Sequence, residues 1–281
     1  MLKWNEYRDR IRMIPYEHDD APLSDEEKDR IADRMISYLL RERGEIAAFN
    51  MPYEKKRHVI WGYLNERMPN YMEEDRLAEW DRILWQETKE RGIVDIAAFD
   101  YKHSLAVWKG DITRLNADAV VNAANSSLLG CFIPHHKCLD NVIHSCGGPQ
   151  IRGDCAKIIA LQGCNEQSGN AKVTVAYNLP SKYVLHTVGP MAGIGVEEEQ
   201  RAQLKSCYVS CLELALEMGL KSVAFSCVST GIFGFPNEEA AEIATGTVLN
   251  WKLKHNCDMK IVFNVFLDKD KKIYDDILKF M

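Results

Sequence analysis

The sequence predicts an α/β protein, in which helices cover a mostly parallel central sheet and an α-helical extension precedes it. Two observations carry the prediction. Residues 1 to about 95 show helical periodicity and no convincing strand, whereas from about residue 102 short apolar runs alternate with helical segments. Several of those runs stop at clusters of Gly, Asn, Ser and Asp, the residues of tight turns. The change of pattern divides the chain into a helical extension, residues 1–98, and an α/β domain, residues 99–281.

Each element has a local reason. Ser24-Asp-Glu-Glu27 has the form of a capping box in front of DRIADRMISYLLRERG, a helix that ends at Gly44. A second helix starts after Pro52, through YEKKRHVIWGYLNERM, and a third covers about 72–91 and stops at Gly92. Trp61, Trp80 and Trp85 are expected to pack this extension, internally or onto its neighbour, as a cap without chemistry of its own. Beyond it, SLAVWKG and AVVNAAN read as strands, and CLDNVIHSCGG and PQIRGDCAKIIALQG as helices. KVTVAYNL and YVLHTVG are strands, RAQLKSCYVSCLELALEMG an amphipathic helix and SVAFSCVS a strand. NEEAAEIATGTVLNWKLKH is a helix with Asn237 as its N-cap and acids in its first turn, where the helix dipole favours them. MKIVFNVF, a strand, and DKKIYDDILKF, a helix, complete the pattern.

Composition excludes several classes. The chain is 46% hydrophobic and 27% charged, as in ordinary globular proteins. No apolar run approaches the ~18 residues of a membrane span, and the N-terminal stretch lacks the apolar core of a signal peptide. A cytoplasmic, monomeric protein is the default expectation. A net charge of −6 argues against a nucleic-acid binder driven by bulk electrostatics. It leaves room for a nucleotide-sized ligand, because backbone N–H groups hold phosphate without net positive charge. The nine cysteines point to buried thiols rather than disulfides in a reducing compartment. Cys207, Cys211 and Cys227 read as core, and only Cys131 and Cys138 have histidines close by.

Ligands of open α/β sheets bind beyond the carboxyl ends of strands. Three segments occupy that position. Asp111 of Gly110-Asp-Ile-Thr113 either accepts from an exocyclic amine or only shapes an Asx turn. Val121-Asn-Ala-Ala-Asn125-Ser126 either offers an amide to sugar hydroxyls or is an ordinary turn. Ser229-Thr-Gly-Ile-Phe-Gly-Phe-Pro236 either turns successive N–H groups toward one anion, since Gly231 and Gly234 permit positive φ, or is a tight connection. Phe233 or Phe235 could wall a sugar or a base. The segment has no Walker-type lysine, which excludes a P-loop NTPase, and no GxGxxG opens a βαβ unit as in a dehydrogenase.

Taken in order, GDIT, VVNAANS, an IH-containing helix ending in GG, and STGIFGFP resemble the macrodomain family of ADP-ribose-binding modules, over roughly residues 103–268. The resemblance implies a three-layer α/β/α sandwich and ADP-ribose as ligand. It implies that Asp111 and Ile112 meet the adenine, that Asn125 lies near the distal ribose, and that Ser229, Thr230, Gly231, Ile232 and Phe233 cradle the diphosphate. Where ordinary macrodomains have a run of glycines, this chain has GCFIPHHKCLDNVIH, residues 130–144. That stretch resembles the zinc-dependent branch, stand-alone or sirtuin-linked, whose pattern is GCF-x-P-x-H-x-C-[IL]-D-N-x-I-H. Matched residue by residue, the ligands of one zinc ion per chain are Cys131, His136 and Cys138. Leu139, where Ile is common, and Cys146-Gly147, where Ala-Gly often follows, depart from the pattern without touching a proposed ligand. His135 is the rival to His136, and His144 is expected to be packed or hydrogen-bonded.

The chemistry of the donor set agrees. Cys, His and Cys form a known catalytic zinc set with one position open, whereas a closed structural site takes four ligands. Asp140 sits where related hydrolytic macrodomains carry an Asp. It could activate water, hold a ribose hydroxyl or support a zinc ligand, or be a carboxylate favoured by the helix dipole. With Asn125 it completes the expected catalytic pair. The resemblance thus implies a zinc-dependent hydrolase acting on mono-ADP-ribosylated proteins, at esters of Asp or Glu. A non-catalytic reader and an O-acetyl-ADP-ribose deacetylase are the alternatives.

Overall fold

The computed structural model describes residues 1–45, 51–193 and 195–280. Its extension contains α1 (Trp4–Tyr7), α2 (Asp25–Glu42), α3 (Tyr53–Glu66) and α4 (Glu74–Arg91). The capping box is formed: Ser24 Oγ accepts from the Glu27 N–H, and the Glu27 carboxylate accepts from the Ser24 N–H. α2 and α4 end beside Gly44 and Gly92, at φ +70° and +84°. On α2, Ile31, Met35, Ile36 and Leu39 share one face and pack on Ile60, Trp80, Ile83 and Leu84. Each such burial contributes about 1.5–3 kcal/mol, so the extension has a core of its own. The first turn of the chain belongs elsewhere. Tyr7 and Ile11 enter the main core, where Tyr7 Oη accepts from the Val173 N–H at 2.9 Å.

Two short strands, β1 (Val94–Asp95) and β3 (Leu115–Asn116), pair in parallel and are too short to leave a sequence signature. The main sheet contains β2 (Leu105–Lys109), β4 (Ala119–Ala124), β5 (Ala171–Val175), β6 (Tyr183–Val188), β7 (Ser222–Phe225) and β8 (Lys260–Val265). Its order is β2-β8-β7-β4-β6-β5, parallel throughout except for β5 against β6. Side chains alternate between two cores, as the period of two requires. Val121, Leu185, Val223 and Ile261 face α7 (Glu198–Glu217), α8 (Asn237–His255) and α9 (Asp268–Lys279). Val120, Val184, Ala224 and Val262 face α5 (Leu139–Gly147) and α6 (Pro149–Gln162). The result is an α/β/α sandwich with helices in front. Among the described residues, no helix is long and apolar enough to cross a membrane.

Two local expectations are corrected. Pro236, not Asn237, occupies the cap position of α8, and no side chain caps it. The Asn237 amide donates instead to Asp270 at 2.7 Å, so it ties α8 to α9. Cys227 does not end β7, which stops at Phe225. It lies in the following loop, half-buried, with Sγ 3.6 Å from the Asn264 carbonyl, while Cys207 and Cys211 are fully buried as expected.

The extension docks through buried polar groups. The Asp81 carboxylate accepts from Gln150 at 2.8 Å and Asn178 at 2.6 Å. Burial pushes this carboxyl up, against those two hydrogen bonds. Arg152 of α6 donates Nη1 to the carbonyls of Leu64, Asn65 and Arg67 at 2.9, 2.9 and 2.7 Å. Of the three tryptophans, Trp80 fills the extension core, Trp61 donates to Ser145 Oγ on α5, and Trp85 stacks on His18.

Candidate functional site

Because β2, β4, β7 and β8 are parallel, the loops after their carboxyl ends meet at one edge of the sheet. A cleft of about 560 Å³ opens there, lined by Asp111 and Ile112 after β2, Thr230 and Gly231 after β7, and Phe266 after β8. Asp111 Oδ1 accepts from the Thr113 N–H at 3.0 Å and its hydroxyl at 2.7 Å. It therefore shapes the turn and borders the cleft at once. Phe266, 74% exposed, was not anticipated. Its signal was an aromatic just past the apolar strand MKIVFNV, the position of the other candidate ligand loops.

The loop after β7 is left-handed at Ser229 (φ +67°) and Gly234 (φ +69°), but not at Gly231. Gly231 does not use the positive φ open to it, and a Cβ there would meet no neighbour within 4 Å. A non-glycine in this region is strained unless its surroundings hold it. Gly189, after β6, leaves the room: a Cβ there would lie 2.1 Å from Ser229 Oγ. Bonds from Gly234 N–H to the Gly231 carbonyl and from Phe235 N–H to the Ser229 carbonyl, both 3.0 Å, close the loop. Among the described residues, the N–H groups of Ser229, Gly231, Ile232 and Phe233 have no protein acceptor, which leaves a run of donors for an anion. Phe235 is buried in the main core and walls nothing, whereas Phe233 is half-buried and Ile232 exposed.

After β4, Asn125 organises its own loop. Its Oδ1 accepts from the Ser127 N–H and hydroxyl at 3.0 and 2.6 Å, and its Nδ2 donates to the Gly130 carbonyl at 2.9 Å. Asp140, in the first turn of α5, is buried; it accepts from Asn122 Nδ2 at 2.7 Å, and its other oxygen lies 3.4 Å from Asn125 Nδ2. Burial pushes its carboxyl up to about 6, against the Asn122 amide and the Arg152 guanidinium. Asn122, the first asparagine of the motif, joins Asp140 to His186 Nδ1 at 3.2 Å. His186, Cys155 and His144 form a group with donor atoms mutually within 4.8 Å, fully enclosed in the core. Burial keeps both imidazoles neutral. His144 is thus packed, as expected, with Nε2 3.5 Å from Asp140 Oδ1.

Cys131, His136 and Cys138 converge. Their donor atoms lie within 4.8 Å of one another, with Cys131 Sγ 3.4 Å from His136 Nδ1, and all three side chains are half-buried. Gly130 (φ +77°) leads into the loop, where a Cβ would come within 2.9 Å of the His144 ring. His135 at φ +57° turns the chain, so adjacent imidazoles diverge. His135 stacks on His58 (centroids 3.8 Å, planes 1° apart) and is not in the group. Cys138 is the N-cap of α5, and its Sγ accepts from the Asn141 N–H at 3.4 Å. Burial pushes the Cys138 thiol up to about 11, so a thiolate there calls for a cation beside it. Two thiols and an imidazole, close together at a solvent-reached edge, fit a zinc ion with a position left open.

A mixed sheet between two helical layers, with a loop of free N–H donors after β7 and an Asx turn after β2 at one edge, defines the macrodomain class. The Macro domain family model matches residues 121–244. The chain is 44% identical over 253 residues to a protein-ADP-ribose hydrolase of Treponema medium, covering 87% of this chain and 96% of that one. It is similar to the Oceanobacillus iheyensis macrodomain with ADP (35% identity, TM-score 0.57, 63% of this chain and 90% of that one). It is likewise similar to the Trypanosoma brucei macrodomain in complex with ADP-ribose (29% identity, TM-score 0.60, 74% and 92%). The chain belongs to the macrodomain family.

Proposed function

We propose that this protein is a zinc-dependent hydrolase that removes ADP-ribose from mono-ADP-ribosylated proteins, with esters of Asp or Glu as the preferred linkage. The carrying observation is the convergence of Cys131, His136 and Cys138 at the sheet edge that also holds the Asp111 turn and the Ser229–Phe233 donors. The 44% identity to a protein named for this hydrolysis, and the likeness to macrodomains with ADP and ADP-ribose, support the substrate class. In this reading Asp111 and Ile112 take the adenine. The N–H run at 229–233 holds the diphosphate and fixes the nucleotide, and Phe266 covers it. Asn125, through Gly130, sets the path of the loop that carries Cys131, and Asp140 holds the amides of Asn122 and Asn125. One zinc ion, held by Cys131, His136 and Cys138, would supply Lewis acidity beside the distal ribose. An ester linkage offers a carbonyl oxygen to such an acid, which a glycosidic bond to a guanidine does not.

The test is release of ADP-ribose from an automodified protein, with and without a strong zinc chelator, beside calorimetric binding of free ADP-ribose. Release should stop on chelation and return with zinc while binding survives. A Cys131→Ala/Cys138→Ala double variant should bind ADP-ribose and release none. Tight binding with no release under any condition would make the protein a reader.

A further inference from the structure

One face of α3 lies against the candidate zinc loop. We propose that His58, Trp61, Gly62 and Asn65 are positioning residues for that loop, so that the helical extension sets the geometry in which Cys131, His136 and Cys138 hold a cation. The inference rests on the zinc reading of the loop given above.

The four residues follow the i, i+3, i+4, i+7 spacing of a single helical face. An ordinary packing stripe would be aliphatic; this one is an imidazole, an indole, a glycine and an amide. Each has a defined contact. His58 stacks on His135, and Trp61 meets the same ring edge-on at 5.3 Å. Gly62 gives that ring its seat: a Cβ there would be 2.9 Å from His135 Nε2. Asn65 is 2% exposed and makes the directed bonds. Its Oδ1 accepts from the His135 N–H at 2.9 Å and from Asn141 Nδ2 at 3.2 Å. Asn141 Nδ2 also donates to the His136 carbonyl at 2.6 Å. One buried amide therefore holds the residue before His136 and, through Asn141, His136 itself. Asn65 Nδ2 and Trp61 Nε1 both donate to Ser145 Oγ, at 3.0 and 2.9 Å, which anchors the face to α5.

Cys131 is tied to the same helix end by a second route. The Arg152 guanidinium that binds the carbonyls of Leu64, Asn65 and Arg67 also lies over the Phe132 ring, 4.5 Å from its centroid. Cys138 is reached through Asn141, whose N–H it accepts. Each candidate ligand thus has a neighbour fastened to the C-terminal end of α3. The left-handed backbone at His135 is costly for a non-glycine, and the stack and the bond from Asn65 offset that cost. Groups that orient metal ligands in this way typically govern affinity by about 10–100-fold.

The test is zinc affinity of the full chain, by competition with a chromophoric chelator, together with calorimetric ADP-ribose binding. Asn65→Ala should weaken zinc by about 10–100-fold and change ADP-ribose affinity far less. Asn65→Asp keeps the acceptor oxygens and should recover most of the zinc affinity, a rescue that a merely space-filling role would not produce. Should Asn65→Ala fail to fold, Gly62→Ala carries the test, since its added methyl displaces the His135 ring without removing a hydrogen bond. Folded Asn65→Ala and Gly62→Ala chains that hold zinc as tightly as wild type would overturn the proposal and leave the zinc reading intact. A wild-type chain that binds no zinc would overturn both.

Discussion

The imidazole of His186 is fully buried, and its bonds to Asn122 and Thr174 fix its tautomer. Asn122 Nδ2 donates to Nδ1 at 3.2 Å, so the proton resides on Nε2, which faces Thr174 Oγ1 at 3.0 Å. A second proton would meet a donor rather than an acceptor, in a site that already penalises charge. Burial accordingly lowers His186 to about 3, from about 6.5 in an unfolded chain. Between those values the unfolded chain binds a proton that the folded chain does not. Stability is therefore lost as pH falls from about 6.5 toward 3, by up to about 1.4 kcal/mol per pH unit from this group. Chemical denaturation at stepped pH should show a shallower acid limb for His186→Gln than for wild type. Equal slopes would mean that other groups set the acid limb.

At the scale of an element, the loop between β7 and α8 depends on a residue forty positions earlier. Ser229 adopts its left-handed conformation because Gly189 leaves its hydroxyl room. Gly189→Ala would put a methyl 2.1 Å from Ser229 Oγ, 2.8 Å from Val228 Cγ1 and 3.3 Å from Ser229 Cβ, so both side chains must shift and press on the loop. The run of free N–H groups moves with it. ADP-ribose affinity should fall by about tenfold or more, equivalent to about 1.4 kcal/mol, and overpacking should cost about 1–3 kcal/mol of stability. Zinc content should stay at the wild-type value, because the bonds of Cys131, His136 and Cys138 run to one another and to Asn141, not to Gly189 or the 229–235 loop. Calorimetry with ADP-ribose and metal analysis of the same preparation check both halves.

Across the whole molecule, the core of the extension meets the two-cored sheet domain at a polar seam. Leu39, Ile60, Trp80 and Leu84 belong to one core, and the sheet with its five covering helices forms the rest. The seam is held by Asp81 with Gln150 and Asn178, by Thr88 with the Asn178 carbonyl, and by Arg152 with three carbonyls at the end of α3. Burial brings the Arg152 guanidinium down to about 10, yet it stays charged at neutral pH. Arg152→Met keeps the apolar bulk and strips donors from three acceptors, at about 1–3 kcal/mol for each one left unsatisfied. Scanning calorimetry should show a lower, broadened or split transition for this variant, with the extension melting ahead of the sheet. An unchanged single transition would show that the apolar contacts alone couple the extension to the sheet.

The three long helices of the extension, the strands of the main sheet and the loops after β2, β4 and β7 are legible in the sequence. Capping boxes, terminal glycines and the periods of 2 and 3.6 act over a few residues, and the chain states them directly. The types of the candidate metal donors are legible for the same reason, since Cys131, His136 and Cys138 lie within eight residues. Tertiary structure decided the rest. The motif pattern favours His136 over the adjacent His135, but what becomes of His135 is set by a left-handed turn and by an imidazole offered from α3. Ser229 rather than Gly231 took positive φ because of space left by a distant glycine. Phe235 went to the core and Phe266 to the cleft because strand ends, not residue type, set which aromatic faces that edge of the sheet. The links from Asn122 to Asp140 and His186, and from Asn65 to His135 and Asn141, join residues 18 to 76 positions apart. Local propensity specifies an element; which buried polar groups find each other depends on how the elements close on one another, and only the folded chain contains that.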